Sequence, residues 1–308
     1  MNTRLRDIVE TAGIDAEELE RLVNIAFAED LRFGPDVTSE ATIQLDQKAE
    51  AEVVARQPGI VCGLTVALAV LESAAFPLPG VTLIHQDGDQ IECGDAVLHV
   101  SGPLRPLLLA ERTMLNFMTH MSGIATATGD WVRALEGTRC QVRDTRKTTP
   151  GLRQLEKYAV RCGGGTNHRM GLGDAALIKD NHIAAAGGIT KAIQAVRSRN
   201  PTIELEVECD TLNQVREAVD AQCSLILLDN MDIDTIRAAI AITCQFGETR
   251  VEASGGMTLE HARSVALAGV DYIAVGSLTH SVTALDLGLD MIASEVDVKA
   301  TRDSEKHP

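Results

Sequence analysis

Hydrophobic and polar positions change rhythm along the chain. Residues 3 to 30 place charged and apolar side chains at helical spacing, with Leu19, Leu22, Val23, Ala26 and Phe27 on one stripe, which predicts one or two amphipathic helices. Between residues 31 and 105 the runs are short and β-prone: Ala51 to Val54, Val81 to Ile84 and Ala96 to Val100. Pro58-Gly59, Pro79-Gly80, Asp87-Gly88 and Cys93-Gly94-Asp95 punctuate them, so this stretch reads as an antiparallel sheet interrupted by a helix over Gly63 to Ala74. Leu107 to Thr128 is long and rich in apolar residues, a helix linking two domains.

From residue 139 onward the pattern becomes a short apolar strand, a polar end and a helical stretch, repeated. The strand ends are Val142-Arg143-Asp144, Leu177-Ile-Lys179, Leu205-Glu-Val-Glu208, Leu225 to Asp229, Val251-Glu-Ala-Ser254 and Tyr272 to Gly276. This is the βα rhythm of a parallel sheet or barrel, in six units against the eight of a complete barrel. The tail after Ser294 is polar and reads as loose.

Composition narrows the function. A net charge of −16 leaves no general excess of Lys and Arg for a nucleic acid or an anionic membrane. Aromatic residues at 3% argue against a base-stacking platform. The first residues carry charges where a secretory signal has its apolar core, and the apolar run from Gly59 to Leu71 is shorter than the roughly 18 residues a bilayer requires. Seven scattered cysteines without a Cys-x-x-Cys pair read as reduced thiols, so a cytoplasmic protein is expected.

In a βα barrel the loops after the strands converge on one mouth. Here that mouth receives Lys179, Glu208, Asp229, Ser254, Gly276 and the cluster Arg143-Asp-Thr-Arg-Lys147. Residues 139 to 179 hold nine basic side chains against three acids, a cationic island in an acidic chain, which points to a small polyanion as ligand. Arg forks match carboxylates and Lys serves phosphate as a point charge. Arg153, Glu156 and Lys157, at near-helical spacing, read instead as surface ion pairs. Gly163-Gly-Gly-Thr-Asn-His168-Arg169 is a loop with ligand-capable side chains. Ser254-Gly255-Gly256 and Gly276-Ser-Leu-Thr-His280 each follow a strand and precede a helix, the place where backbone N–H groups hold phosphate. Glu208 and Asp229 end adjacent strands, a carboxylate pair suited to Mg²⁺. Neither a Walker A sequence nor a Gly-x-Gly-x-x-Gly turn is present, which weighs against an ATPase or a dinucleotide oxidoreductase.

These residues carry a resemblance. Glu111-Arg-Thr-Met-Leu-Asn, Ser122-Gly-Ile-Ala-Thr, Asp144-Thr-Arg-Lys-Thr-Thr-Pro-Gly-Leu-Arg153, Gly163 to Arg169, Leu177-Ile-Lys-Asp-Asn-His182, Glu206-Val-Glu208, Leu228-Asp-Asn230, Ser254-Gly-Gly256 and Val275 to His280 together resemble the quinolinate phosphoribosyltransferase family. The resemblance implies an α/β protein with an N-terminal α/β sandwich and an incomplete, about seven-stranded α/β barrel. On that reading the sandwich covers residues 1–117, the barrel 118–283, and residues 284–308 return to the sandwich or form a polar tail. It further implies a homodimer in which Arg112 reaches the partner's active site, with no nucleic-acid or membrane partner. Quinolinate is then held by Arg146, His168, Arg169, Lys179 and that Arg112. Phosphoribosyl pyrophosphate is held by Lys147, Glu208, Asp229, Ser254, Gly255, Gly276 and His280, with Glu208 and Asp229 on Mg²⁺ and Lys147, Glu208 and Asp229 catalytic. The implied reaction joins the two substrates with loss of CO₂ to give nicotinate mononucleotide and pyrophosphate. The alternative is a paralogue acting on another base, of the molybdenum-transport-associated type; the complete Arg, His-Arg and Lys set argues against it.

Overall fold

The computed structural model describes residues 1–245 and 249–292 and divides into two compact units. The first comprises Met1–Thr126 and the segment beyond Ser281. Its helices are α1 (Thr3–Thr11), α2 (Ala16–Asp30), α3 (Val37–Thr42) and α4 (Leu64–Ser73), and its strands are β1 (Lys48–Ala55), β2 (Gly59–Ile60), β3 (Val81–Leu83), β4 (Gln90–Ile91) and β5 (Ala96–Pro103). Asp15 caps α2 by accepting from the Glu17 and Glu18 amides, and Leu19, Leu22, Val23 and Phe27 form its buried stripe, as the spacing predicts. α4 packs against both α1 and α2. The sheet is antiparallel throughout, in the order β12-β1-β5-β3, where β12 (Leu287–Ile292) returns late in the chain to pair with β1 along its whole length. The polar tail after Ser294 lies outside the described residues.

α5 (Leu104–Ala134) carries the chain into the second unit, Ala127–Ser281. There the elements are β6 (Gln141–Arg143), α6 (Arg153–Cys162), β7 (Ala175–Ile178), α7 (Asp180–Ala186), α8 (Ile189–Arg199), β8 (Glu204–Cys209), α9 (Leu212–Asp220), β9 (Leu225–Asp229), α10 (Ile233–Thr243), β10 (Arg250–Ser254), α11 (Leu259–Leu267), β11 (Tyr272–Ala274) and α12 (Ser277–His280). The six strands are parallel in the order β6-β11-β10-β9-β8-β7 and coincide with the six strand ends read from the pattern. A single parallel bridge between Arg143 and Thr166 sets the 163–169 segment beside β6 as a one-residue seventh stave. Arg169 Nη1 donates to the Ala175 carbonyl at 3.1 Å and so links that stave to β7. No helix among the described residues is long and apolar enough to cross a membrane.

The strands alternate strictly between two environments. On β8, Leu205, Val207 and Cys209 are buried together, whereas Glu204, Glu206 and Glu208 point the other way; on β10, Val251 and Ala253 alternate with Glu252 and Ser254. Side chains two apart share a face, so on β8 and β10 one face serves the hydrophobic core and the other carries charge into the barrel, whereas Leu177 on β7 and Leu227 on β9 line the cavity at its mouth.

Candidate functional site

A cavity of about 660 Å³ opens at the carboxyl ends of the strands. It is walled by Arg146 and Lys147 after β6, His168 and Arg169 on the stave, Lys179 after β7, Glu208 on β8, Asp229 on β9, Ser254 and Gly255 at the end of β10, and Gly276 and His280 after β11. Every site residue expected from the sequence therefore lines one cavity except Arg112, which is exposed on α5 in the other unit.

Glu208 is in register with Leu227, two residues before Asp229, so both carboxylates and the leucine face the cavity from adjacent strands. Glu208 pairs with the Lys179 ammonium, and Asp229 accepts from the Asn230 side-chain amide at 2.7 Å. The Asn230 amide in turn donates to the Ser254 carbonyl at 3.0 Å, which ties the end of β9 to that of β10. Gly255 follows at φ +85°, where a Cβ would lie 2.2 Å from Asn230 Oδ1 and 2.9 Å from the Asn230 backbone nitrogen. Gly255→Ala is therefore expected to lose about 1–3 kcal/mol of stability through a left-handed backbone and a collision with a neighbouring strand end. A thermal unfolding midpoint that does not fall would show that the loop moves aside freely. Gly276 is needed for close approach: a Cβ there would meet Lys147 Cδ at 2.9 Å and His280 Nε2 at 3.3 Å.

The loop bearing Arg146 and Lys147 is held from below. Thr279 Oγ1 donates to the Lys147 carbonyl at 2.8 Å, and the Thr149 amide donates to Glu156 at 3.1 Å. Glu156 and Lys157, read from their spacing as surface residues, are both fully buried. The correction has a clear cause: α6 turns these two side chains inward, Glu156 onto the loop and Lys157 onto Asp144 and the His168 carbonyl. Arg153 is half-buried and donates to Thr148 and to the Met170 carbonyl.

Charge pairing divides the cations into two sets. Arg143 is paired with Glu252, Lys157 with Asp144 and Lys179 with Glu208. Among the described residues, Arg146, Lys147 and Arg169 have no carboxylate at ion-pair distance, and the Nε atoms of both arginines are buried without a hydrogen-bond partner. Burial, with the neighbouring Arg146 guanidinium adding to it, pushes the Arg169 guanidinium below its ordinary range. Two like charges held together without a counterion are the protein half of an anion site.

Beneath the mouth, the barrel contains a cluster the sequence reading did not single out. His168 Nε2 lies 2.7 Å from Glu206 Oε2 and 3.7 Å from Glu252 Oε1, with Arg143 closing the group through Glu252 at 2.8 Å. Burial, and after it the Glu206 carboxylate, pushes the Glu252 carboxyl up to about 7. The available signal was spacing: Glu206 stands two residues before Glu208, and Glu252 two before Ser254, on the same strand faces as residues already assigned to the mouth.

Comparison with known families decides the lineage. The family model described as quinolinate phosphoribosyl transferase, C-terminal domain, matches residues 124–290, and its N-terminal companion matches 36–122. The chain belongs to the quinolinate phosphoribosyltransferase family. Relatives include the nicotinate-nucleotide pyrophosphorylase (carboxylating) of Mycobacterium leprae, 48% identical with 86% of this chain and 94% of the relative covered. The probable enzyme of the same name from Bacillus subtilis is 42% identical, covering 92% of this chain and 96% of the relative. The solved nicotinate-nucleotide pyrophosphorylase of Francisella tularensis superposes with a TM-score of 0.83 at 34% identity, covering 90% of this chain and 96% of that one.

Proposed function

We propose that this chain transfers the phosphoribosyl group of 5-phosphoribosyl 1-pyrophosphate to quinolinate and removes a carboxylate, yielding nicotinate mononucleotide, pyrophosphate and CO₂ for NAD biosynthesis. The observation that carries the reading is the unpaired trio Arg146, Lys147 and Arg169 on the wall of one cavity. Quinolinate presents neighbouring carboxylates on a pyridine ring, and two Arg forks with Lys179 and His168 beside them match that dianion. Lys147, His280 and the turns at Ser254-Gly255 and Gly276 face the phosphates of the second substrate.

Glu208 and Asp229, hard oxygen donors facing one cavity, fit a Mg²⁺ that also takes phosphate oxygens and water. When bound, that ion would neutralise charge on the pyrophosphate leaving group. The chain's own residues do the rest. Arg146 and Arg169 orient the pyridine so that its nitrogen meets the anomeric carbon. Glu208 and Asp229 offset positive charge growing on the ribose, and Lys147 offsets negative charge growing on the leaving group. N-ribosylation leaves the ring cationic, so the electron pair left at the adjacent carbon by departing CO₂ is stabilised by that nitrogen.

In this reading the protein works as a homodimer with Arg112 reaching the partner's site, its exposure on α5 leaving it available for that contact. Seven scattered cysteines without a Cys-x-x-Cys pair suit a reducing cytoplasmic compartment in this reading.

The test incubates the protein with Mg²⁺, phosphoribosyl pyrophosphate and either 2-carboxyl-labelled quinolinate or nicotinate. Labelled CO₂ with nicotinate mononucleotide from quinolinate alone supports the reading; product from nicotinate, or none from either, rejects it. Asp229→Ala is expected to shift the Mg²⁺ concentration for half-maximal rate upward by about tenfold or more, since one of two carboxylate ligands is lost. An unchanged magnesium titration would remove Asp229 from the metal.

A further inference from the structure

The mechanism above leaves one atom without a source: the carbon vacated by CO₂ needs a proton. Arg146 and Arg169 cannot supply one, because a guanidinium does not give up its proton in proteins. Lys147 and His280 belong to the phosphate side in this reading, His280 exposed with its Nδ1 against Ser281 Oγ at 2.6 Å, and Lys179 is paired with Glu208. His168 remains. It lines the cavity, yet it stands in the most cationic part of the protein, where Arg146 and Arg169 oppose a further positive charge.

The buried acids behind it reverse that opposition. Glu206 from β8 and Glu252 from β10 both approach Nε2, and the Oε1 atoms of both are buried with no hydrogen-bond partner. Arg143 from β6 cancels one of the two carboxylates, which leaves one uncompensated negative charge for His168. On its own segment, the His168 amide donates to Asp144 at 2.9 Å and its carbonyl accepts from Lys157 at 2.8 Å, an ion pair that contributes little net charge. Burial first, and the Glu206 carboxylate after it, raise the Glu252 carboxyl to about 7, and its position beside His168 and Arg143 works against that rise. With Nε2–H held on Glu206, no described residue is recorded on Nδ1, the nitrogen left for a ligand.

We propose that His168, with Nε2 set against Glu206 and Glu252 and Nδ1 left toward the cavity, is the acid that protonates the ring carbon as CO₂ departs. The inference rests on the function proposed above. The carbon–carboxylate bond breaks and its electron pair stays on the ring carbon next to the cationic nitrogen. That pair takes the Nδ1 proton to form the new C–H bond. His168 is left neutral with its Nε2 proton still on Glu206, and solvent restores the Nδ1 proton before the next turnover. Glu206 remains a carboxylate throughout. His168 is the catalytic residue, and Glu206 and Glu252 are positioning residues.

The test is a rapid-quench single turnover at saturating quinolinate that follows pyrophosphate and CO₂ separately. Wild-type protein is expected to release the two in step. His168→Gln is expected to release pyrophosphate within a few-fold of wild type but CO₂ about 100-fold or more slowly, so that a ribosylated, still-carboxylated species accumulates. A role confined to binding would slow both together, and that result, or an unchanged CO₂ rate, overturns the proposal. Glu252→Gln keeps the shape of the cluster and removes negative charge from it. Its CO₂ step is expected to slow about tenfold while pyrophosphate release stays within a few-fold of wild type, because His168 loses one of the two carboxylates set against Nε2. A CO₂ step left unchanged in Glu252→Gln, or one slowed together with pyrophosphate release, counts against the proposal. If wild-type protein releases neither product from quinolinate, the proposed function itself has failed; loss confined to the variants' behaviour leaves that function standing.

Discussion

Asp144→Ala is expected to cost about 3–5 kcal/mol of the barrel unit's stability, the penalty for stranding a buried charge. Asp144 and Lys157 are both fully buried and paired. Asp144 also accepts from the His168 amide at 2.9 Å and from the Asn167 side chain, while Lys157 donates to the His168 carbonyl at 2.8 Å. Burial already pulls the Lys157 ammonium below its ordinary range, with Asp144 opposing the fall. Without the carboxylate, the lysine must either lose its proton or draw water into the packing beneath the stave. Urea unfolding of the single variant against the double variant Asp144→Ala, Lys157→Met separates the causes. The double variant is expected to recover much of the loss, because replacing a buried ion pair by apolar side chains is often neutral. Equal losses in both would mean that the missing hydrogen bonds to the stave, rather than the orphaned charge, dominate.

Arg146→Ala is expected to weaken quinolinate binding by about 30- to 150-fold, the worth of roughly 2–3 kcal/mol for hydrogen bonds to a carboxylate. Its guanidinium faces the cavity with Nε buried and unpartnered and with no carboxylate of the protein to fall back on, so the ligand supplies its counterion. Affinity for phosphoribosyl pyrophosphate is expected to stay within a few-fold, since that substrate is assigned to Lys147, His280 and the glycine turns. Arg146→Lys is expected to recover only part of the loss, because an ammonium cannot make the two parallel bonds of a fork. Titration calorimetry with each substrate is the check; equal losses for both would break the division of the cavity into a carboxylate side and a phosphate side.

What was readable in the chain follows from burial. The strands of the barrel are covered by helices on one face, so runs such as Leu225-Ile-Leu-Leu end abruptly in a charge, and that contrast located all six strands and most of the mouth. The antiparallel sheet announced itself through Gly and Pro at its turns. Periodicity does not say which way a helix faces, however, and near-helical spacing in Arg153, Glu156 and Lys157 suits a solvated face and a buried one equally until Asp144 and Thr149 are seen as partners. Charges inside strands were overlooked for a related reason. Glu206 and Glu252 sit among apolar neighbours and read as interruptions of a core strand, when the barrel's inner face requires them to point away from that core. The return of the chain to β1 through β12 rests on pairing between residues more than two hundred positions apart, which no local pattern encodes.

The one-residue stave at Thr166 has a consequence for how the protein responds to its ligand. Elsewhere neighbouring barrel strands are joined by ladders of at least two register pairs, but between β6 and β7 the ring is completed by one bridge and a few side-chain bonds. Arg146 projects from the loop on one side of this seam, Arg169 from the stave itself and Lys179 from the strand end on the other side. On the proposed reading, a dianion held by all three would act as a clasp. Occupancy then stiffens the barrel where it is weakest, and because linkage is mutual, whatever tightens the seam also tightens the grip on the ligand. Amide exchange around Thr166 and Ala175 becomes the place to watch a substrate complete the fold of its own enzyme.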